Sequence, residues 1–249
     1  MGPAPAFRLE IRELQRRFGT HVAVAGVSLE VRAGEIVGFL GANGAGKTTT
    51  LRCAAGLLRP HGGRVEIDGH PLDREPQAAK AALGFVPDRP FLYERLTPPE
   101  FLAFVASLYG VPARLAEPRI DALLDRLAVG AAADALIEGA SLGTRQKIAV
   151  AAALVHEPAM LLLDEPLAGL DPPAAFTLKQ LLRERTAAGA GVLVSTHQLE
   201  VAERLCDRVV MLRRGRVVAS GTIAELRGTR GDATLETLFL ELAAERPEP

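Results

Sequence analysis

"EIVGFLGANGAGKTTTLRCAAGLL", residues 35–58, reads as a short apolar strand, a glycine-rich turn and the start of a helix. Its centre, "GANGAGKT" from Gly41 to Thr48, fits the G-x-x-x-x-G-K-[ST] pattern in the strand–loop–helix setting that gives the pattern meaning. Holding a phosphate here needs successive backbone N–H groups wrapped round an anion with no Cβ in the way. Gly41, Gly44 and Gly46 supply that backbone. The helix start adds partial positive charge. Lys47 can reach the terminal phosphates and the Thr48 hydroxyl can ligate Mg²⁺, while Thr49 is either a second phosphate contact or a cap.

A second phrase, "MLLLDEP" (160–166), is an apolar strand that delivers Asp164 to the carboxyl edge of a sheet, where α/β sheets bind ligands. Asp164 would hold Mg²⁺ directly or through water. Glu165, one residue on, points elsewhere and can orient or deprotonate an attacking water. A third phrase, "ASLGTRQKI" (140–148), is a capped helix start: Ser141 can cap and Gly143 lets the backbone be approached closely.

The rest of the chain shows how these phrases are carried. Short β-like runs with Gly turns fill the first part, among them "FRLEIREL", "VAVAGVSLEV", "GRVEIDG" and "LGFVP". The helix that begins at Gly46 is expected to run through "KTTTLRCAAGLL" to Arg59-Pro60. From Pro90 to His156, "PPEFLAFVASLYG", "RIDALLDRLA" and "RQKIAVAAALV" show helical periodicity. Buried strands and helices then alternate again, ending in the strand pair "DRVVMLRRGRVVASG" and the amphipathic "LETLFLELAAE". Apolar strands alternating with helices predict an α/β fold with a parallel sheet covered on both faces and a helical insertion.

Bulk properties agree with a nucleotide-handling globular protein and exclude several classes. At 249 residues, 48% hydrophobic and 24% charged, the chain is long enough for a sizeable core. A formal net charge of -1 and the lack of a basic cluster with interleaved aromatics argue against nucleic acid as a partner. The two cysteines, Cys53 and Cys206, make neither a disulfide framework nor a metal spacing, and read as packed thiols in a reducing compartment. No secretory signal is expected from "MGPAPAFRLEIRE", and "IAVAAALVHEPAMLLL" is broken by His156, Glu157 and Pro158, so no span is expected.

With "AGLD" (Ala168 to Asp171) and "VLVSTH" ending at His197, these phrases resemble the ATP-binding subunit of ABC transporters, in order and spacing, over essentially the whole chain. The resemblance is to the bacterial exporter type. It implies a single ABC ATP-binding domain over 1–249: a P-loop NTPase (RecA-like) core, an antiparallel β subdomain, an inserted helical subdomain at 89–157 and a helical tail at 223–249. It implies Mg²⁺ and ATP as ligands, ATP hydrolysis, and a homodimer or heterodimer of such subunits. The dimer would sit on a separate transmembrane permease at the cytoplasmic face of the membrane. Asn43 and Ala45 join the glycines, Lys47, Thr48 and Thr49 as ATP contacts. Glu165 is then the catalytic carboxylate, His197 the switch histidine near the γ-phosphate, and Asp171 the residue that crosses the dimer interface. Ser141 and Gly143 would meet the partner's ATP. Phe18 matches the aromatic that stacks on adenine, with core packing the other reading. A soluble ABC-type ATPase of DNA repair or translation is the rival function; it expects a coiled-coil insertion, tandem cassettes or a basic arm, and the sequence has none.

Two positions depart from the family pattern. Asp88 in "LGFVPDRP" stands where Gln, sometimes Glu, is usual. It is expected to contact the ion through water, or to turn outward and pair with a base such as Arg89; a plain loop aspartate is the third reading. In the signature, Leu142 replaces a Gly and Thr144 a Gln. Leu142 is acceptable where φ stays negative and the side chain leaves the interface.

Overall fold

The computed structural model describes residues 7–130 and 133–228. Four strands form an antiparallel sheet: β1 (Phe7–Phe18), β2 (His21–Arg32), β4 (Gly62–Ile67) and β5 (His70–Pro71), in the order β2-β1-β4-β5. Six others form the central sheet: β3 (Ile36–Leu40), β6 (Leu83–Val86), β7 (Met160–Asp164), β8 (Gly191–Thr196), β9 (Arg208–Arg213) and β10 (Arg216–Thr222). Their order is β10-β9-β3-β8-β7-β6, all pairs parallel except β10 with β9.

Every residue of β3, β7 and β8 is buried, because both faces of the central sheet are covered. Alternate side chains feed two cores. Val37, Phe39, Leu162, Leu193 and Val210 pack beneath the antiparallel sheet with Leu51. Ile36, Leu40, Leu161, Leu163, Val192 and Val194 face the opposite way, towards the helices. The two-residue period of a strand therefore bolts the antiparallel sheet and the helical region to opposite sides of one slab.

The helices are α1 (Lys47–Ala54), α2 (Pro76–Ala81), α3 (Pro98–Leu108), α4 (Ala113–Arg126), α5 (Leu142–Leu154), α6 (Pro172–Ala187), α7 (Leu199–Leu205) and α8 (Ile223–Gly228). Thr97 and Glu100 close α3 with a reciprocal capping box. Two helices differ from the sequence expectation. α1 stops at Ala54 instead of running to Leu58, because Gly56 turns left-handed (φ 68°) and Leu57 N–H closes back on the Arg52 carbonyl at 2.9 Å. α4 starts at Ala113, before Pro118, although Pro forfeits the bond to a carbonyl one turn back. Ala116, Ile120 and Leu124, spaced four apart, are all buried by that longer helix, which offsets the loss. The tail "LETLFLELAAE" lies outside the described residues.

Cys53 and Cys206 are buried and unpaired, and burial pushes their thiols up to about 11 and about 12. Both are packed thiols rather than reactive ones.

His156 ties the helical region to the sheet. Its ring stacks on Tyr109 with centroids 3.6 Å apart, and Nε2 lies 3.1 Å from the Leu83 carbonyl, which also accepts from the Tyr109 hydroxyl at 3.3 Å. The ends of α3 and α5 thus meet at the first residue of β6. Burial holds the imidazole neutral, lowering its pKa from 6.5 to about 4. The unfolded chain then takes up the proton more readily, so this contribution is complete above pH 6.5 and is lost as pH falls towards 4. Thermal melts between pH 7 and pH 4 should fall less steeply for His156→Gln than for the parent chain; equal slopes would remove His156 as the cause.

Candidate functional site

Strand register assembles the site. Leu40 at the end of β3 lies beside Thr196 of β8, and Asp164 at the end of β7 lies beside Ser195. The next residues along each strand, Gly41, Glu165 and His197, therefore leave the sheet at one edge. α1 begins at that edge after the glycine-rich turn.

The turn is wedged between the two sheets. Gly46, the N-cap of α1, sits at φ 108°, and a Cβ there would lie 2.4 Å from the Ala23 carbonyl oxygen of β2. A Cβ on Gly41 would lie 2.6 Å from the Leu212 carbonyl oxygen of β9. Neither contact admits a side chain. Lys47 folds back over the turn, donating to the Gly41 carbonyl at 2.6 Å and, more distantly, to that of Ala42 at 3.4 Å. Burial lowers its pKa, opposed by the charges of Glu165 and Asp164.

A cavity of about 410 Å³ opens above the turn. Its wall carries Asn43, Gly44, Gly46, Lys47, Thr48, Thr49, Asp88, Asp164 and Glu165, with Phe18 and His21 at one side. Phe18 is 46% exposed, so core packing does not account for it. Gly41 and Ala45, expected as ATP contacts, lie behind the wall. The Gly41 carbonyl is taken by Lys47, and Ala45 bonds through its N–H to Ala42 and through its carbonyl to Gly215. Both hold the turn in place.

Asp164 is 1% exposed. Its Oδ1 accepts from the Ser195 hydroxyl, while Oδ2 is buried without a partner. Three carboxylates, Asp88, Asp164 and Glu165, share the wall with the single ammonium of Lys47. An anionic ligand entering such a cavity is repelled unless a cation lies between. The unpartnered Oδ2 and the Thr48 hydroxyl on the same wall fit that cation. No cluster of three or more His, Cys, Asp or Glu that could hold a metal occurs among the described residues. A site of few protein ligands completed by phosphate oxygens and water is what Mg²⁺ takes.

Glu165 adopts φ 49°, a left-handed conformation that costs a non-glycine residue about 1–3 kcal/mol. Its N–H donates to the Ser195 carbonyl and hydroxyl at 3.2 Å, and its Oε1 meets His197 Nδ1 at 2.9 Å. The turn thus aims the carboxylate across the cavity mouth at the end of β8.

Asp88 lies on the wall, but its outward partner is Arg52 of α1 at 3.5 Å, not the expected Arg89. Arg52 is one turn beyond Thr48 on the same helix face, which brings its guanidinium within reach of Asp88.

The signature residues stand away from this cavity. Ser141 caps α5, accepting from Thr144 N–H at 3.2 Å with the two hydroxyls 2.9 Å apart. Leu142 has negative φ and is 65% exposed. A Cβ on Gly143 would lie 2.8 Å from the Gly169 carbonyl oxygen, so this glycine is required by packing within the chain. Asp171 caps α6 through Ala174 N–H at 2.8 Å and pairs with Lys147 at 3.6 Å; the Ala174 bond, more than Lys147, lowers its pKa. The starts of α5 and α6 are thus joined side by side.

Residues that sequence reading passed over complete the site. Ser195 orients both Asp164 and Glu165, and its signal was a hydroxyl inside an apolar buried strand. Gln146 is 2% exposed and donates to the Pro166 carbonyl at 3.3 Å, linking α5 to the loop after Glu165. His21 carried no sequence signal.

Comparison with known proteins agrees with this geometry. Residues 24–168 match the family model described as ABC transporter. The chain is 37% identical over 239 residues to the ABC-type transporter ATP-binding protein EcsA of Bacillus subtilis, covering 95% of this chain and 97% of that one. It is 38% identical over 217 residues to the Nod factor export ATP-binding protein I of Burkholderia lata, covering 87% of this chain and 71% of that one. A solved structure described as an ATP binding subunit of an ABC transporter superposes with a TM-score of 0.90 at 36% identity, covering 94% of this chain and 99% of that chain.

Gly46→Ala should abolish ATP binding measured by calorimetry, since the added Cβ meets the Ala23 carbonyl in a conformation Ala disfavours. Retained affinity would show that the turn can move without losing the site.

Proposed function

The chain belongs to the ABC transporter family as an ATP-binding subunit, and from that premise we propose how its residues bind and hydrolyse ATP to drive a separate membrane permease. The observation that carries the proposal is the pairing of a buried Asp164 with an unpartnered Oδ2 and a strained Glu165 held to His197, both at the mouth of the glycine turn.

The N–H groups of the turn and the Lys47 ammonium hold the phosphates. Thr48 and Asp164 would hold Mg²⁺, and Asp88 would reach it through water once free of Arg52. The ion, when bound, supplies positive charge between phosphate oxygens that the three carboxylates would otherwise repel. Glu165 Oε1 accepts a hydrogen bond from the attacking water and takes its proton as the water oxygen bonds to the γ-phosphorus, while the bond from that phosphorus to the β–γ bridging oxygen breaks and ADP leaves with the electron pair. His197 keeps the carboxylate aimed and meets the γ-phosphate. Phe18 stacks on the base.

Ser141, Gly143 and Asp171 are outside the cavity of their own chain. They act in a homodimer or heterodimer, where the N-terminus of α5 faces the partner's nucleotide.

Among the described residues no helix is long and apolar enough to cross a membrane. On the family reading, coupling to a bilayer goes through a separate permease, with this subunit at the cytoplasmic face. A groove of about 610 Å³ between α1, β6, α3 and α5 is the surface we assign to that contact. Phe91, Leu57 and Leu108 on its walls are 92%, 61% and 68% exposed, beside the cations Arg52, Lys80 and Arg89. Export is the direction we favour, since the relatives include a subunit named for Nod factor export. A DNA-repair or translation ATPase is not favoured by relatives that are transporter subunits.

Glu165→Gln should bind ATP with affinity close to that of the parent, turn over about 10²–10⁴-fold more slowly, and accumulate as a dimer in ATP on light scattering. Near-normal turnover would remove Glu165 from the catalytic role. Asp88→Gln should change the Mg²⁺ concentration that gives half-maximal ATPase rate, and an unchanged value would leave Asp88 with Arg52 as its only partner.

A further inference from the structure

Arg16 and Phe18 are two apart on β1, so their side chains leave the same face of the strand. The Arg16 guanidinium carbon lies 4.8 Å from the centroid of the Phe18 ring. It is anchored there, because Arg16 Nη1 donates to the Arg59 carbonyl at 2.7 Å in the loop that follows α1. One face of the ring is therefore taken by a cation. The ring still stands 46% exposed on the wall of the nucleotide cavity, so the face turned from Arg16 is the one a base can reach.

We propose that Arg16 is a positioning residue for the nucleotide base, fixing Phe18 as a platform and polarising its ring from behind. The proposal rests on the reading of Phe18 as the base-stacking residue. Three physical effects act together. A ring near the end of an exposed strand rotates freely, and ordering it on binding costs entropy that the Arg16 contact has already removed. A cation over one face draws π density towards itself and leaves the opposite face less negative, a better partner for the electron-rich face of a purine. The bond to Arg59 also joins the antiparallel sheet, which carries the platform, to the segment just beyond α1, which carries the phosphate turn. The arginine thereby sets the spacing between base and phosphates. Phe18 has no hydroxyl, so the ring face is all it offers, and its orientation matters the more.

Calorimetry on the full chain with Mg-ATP and with Mg-tripolyphosphate separates base from phosphate recognition. Arg16→Gln should raise the Kd for ATP roughly three- to tenfold while leaving tripolyphosphate unchanged. Arg16→Lys keeps a cation near the ring and should retain most of the affinity. Phe18→Ala should lose at least as much as Arg16→Gln, and the double variant little more than Phe18→Ala alone. Equal weakening of both ligands by Arg16→Gln would place the arginine's effect on the phosphate turn or the fold, and overturn the proposal. Selective weakening by Phe18→Ala with no effect of Arg16→Gln would keep the platform and remove Arg16 from it. An unchanged ATP affinity in Phe18→Ala would sink the base-stacking reading itself, and this proposal with it.

Discussion

The whole arrangement depends on one close approach of backbone to backbone. The glycine-rich turn is clamped between the Ala23 carbonyl of the antiparallel sheet and the Leu212 carbonyl of the central sheet, at distances that leave no room for a Cβ on Gly46 or Gly41. A turn held by main chain on two sides has little freedom, so its backbone is fixed before any anion arrives. That preorganisation lets a few charge-assisted hydrogen bonds, each worth about 1.5–3 kcal/mol, act together on a phosphate. It also means that the cradle exists only where both sheets meet.

The acidic half of the site depends on the sheet in a different way. Parallel register sets Asp164 beside Ser195 and leaves Glu165 and His197 to emerge next to each other. Ser195 is spent on both acidic residues, accepting from the Glu165 N–H and donating to Asp164. Asp164 keeps one oxygen unpartnered in a buried position, an arrangement that is costly without a cation and apt with one. The left-handed backbone of Glu165 is the strain that this aiming requires.

On the helical side, the residues at the starts of two helices also lock those helices together. Gly143 is needed because the Gly169 carbonyl presses on it, and Asp171 caps its own helix while holding Lys147. The N-termini of α5 and α6 are consequently presented as one rigid pair. Gln146 binds that pair to the Pro166 carbonyl, so the start of α5 is tied to the loop that follows Glu165. In the last turn of α1, Arg52 pairs with Asp88 of the cavity wall and also lines the neighbouring groove, which places the two surfaces one ion pair apart.

What the sequence determined by itself was local or periodic. A strand, a glycine turn and a helix in one continuous stretch announce a phosphate cradle, because neighbours in the chain make it. Apolar runs that make up most of β7 and β8 announce buried parallel strands, because both faces must be covered. Ser141 as a helix cap was legible for the same reason. What only the tertiary structure decided depends on partners distant in the chain. Asp88 turns to Arg52 because α1 presents that side chain across the gap, and no spacing rule connects residues 36 apart. Ala45 and Gly41 face the sheets instead of the cavity because the sheets occupy that side. Phe18 stands exposed at the cavity with Arg16 behind it because Arg59, brought near by the turn after α1, holds the arginine there. Short-range sterics write themselves into a sequence; the choice among several possible partners for a charge or a ring is made by whichever surface folding brings within reach.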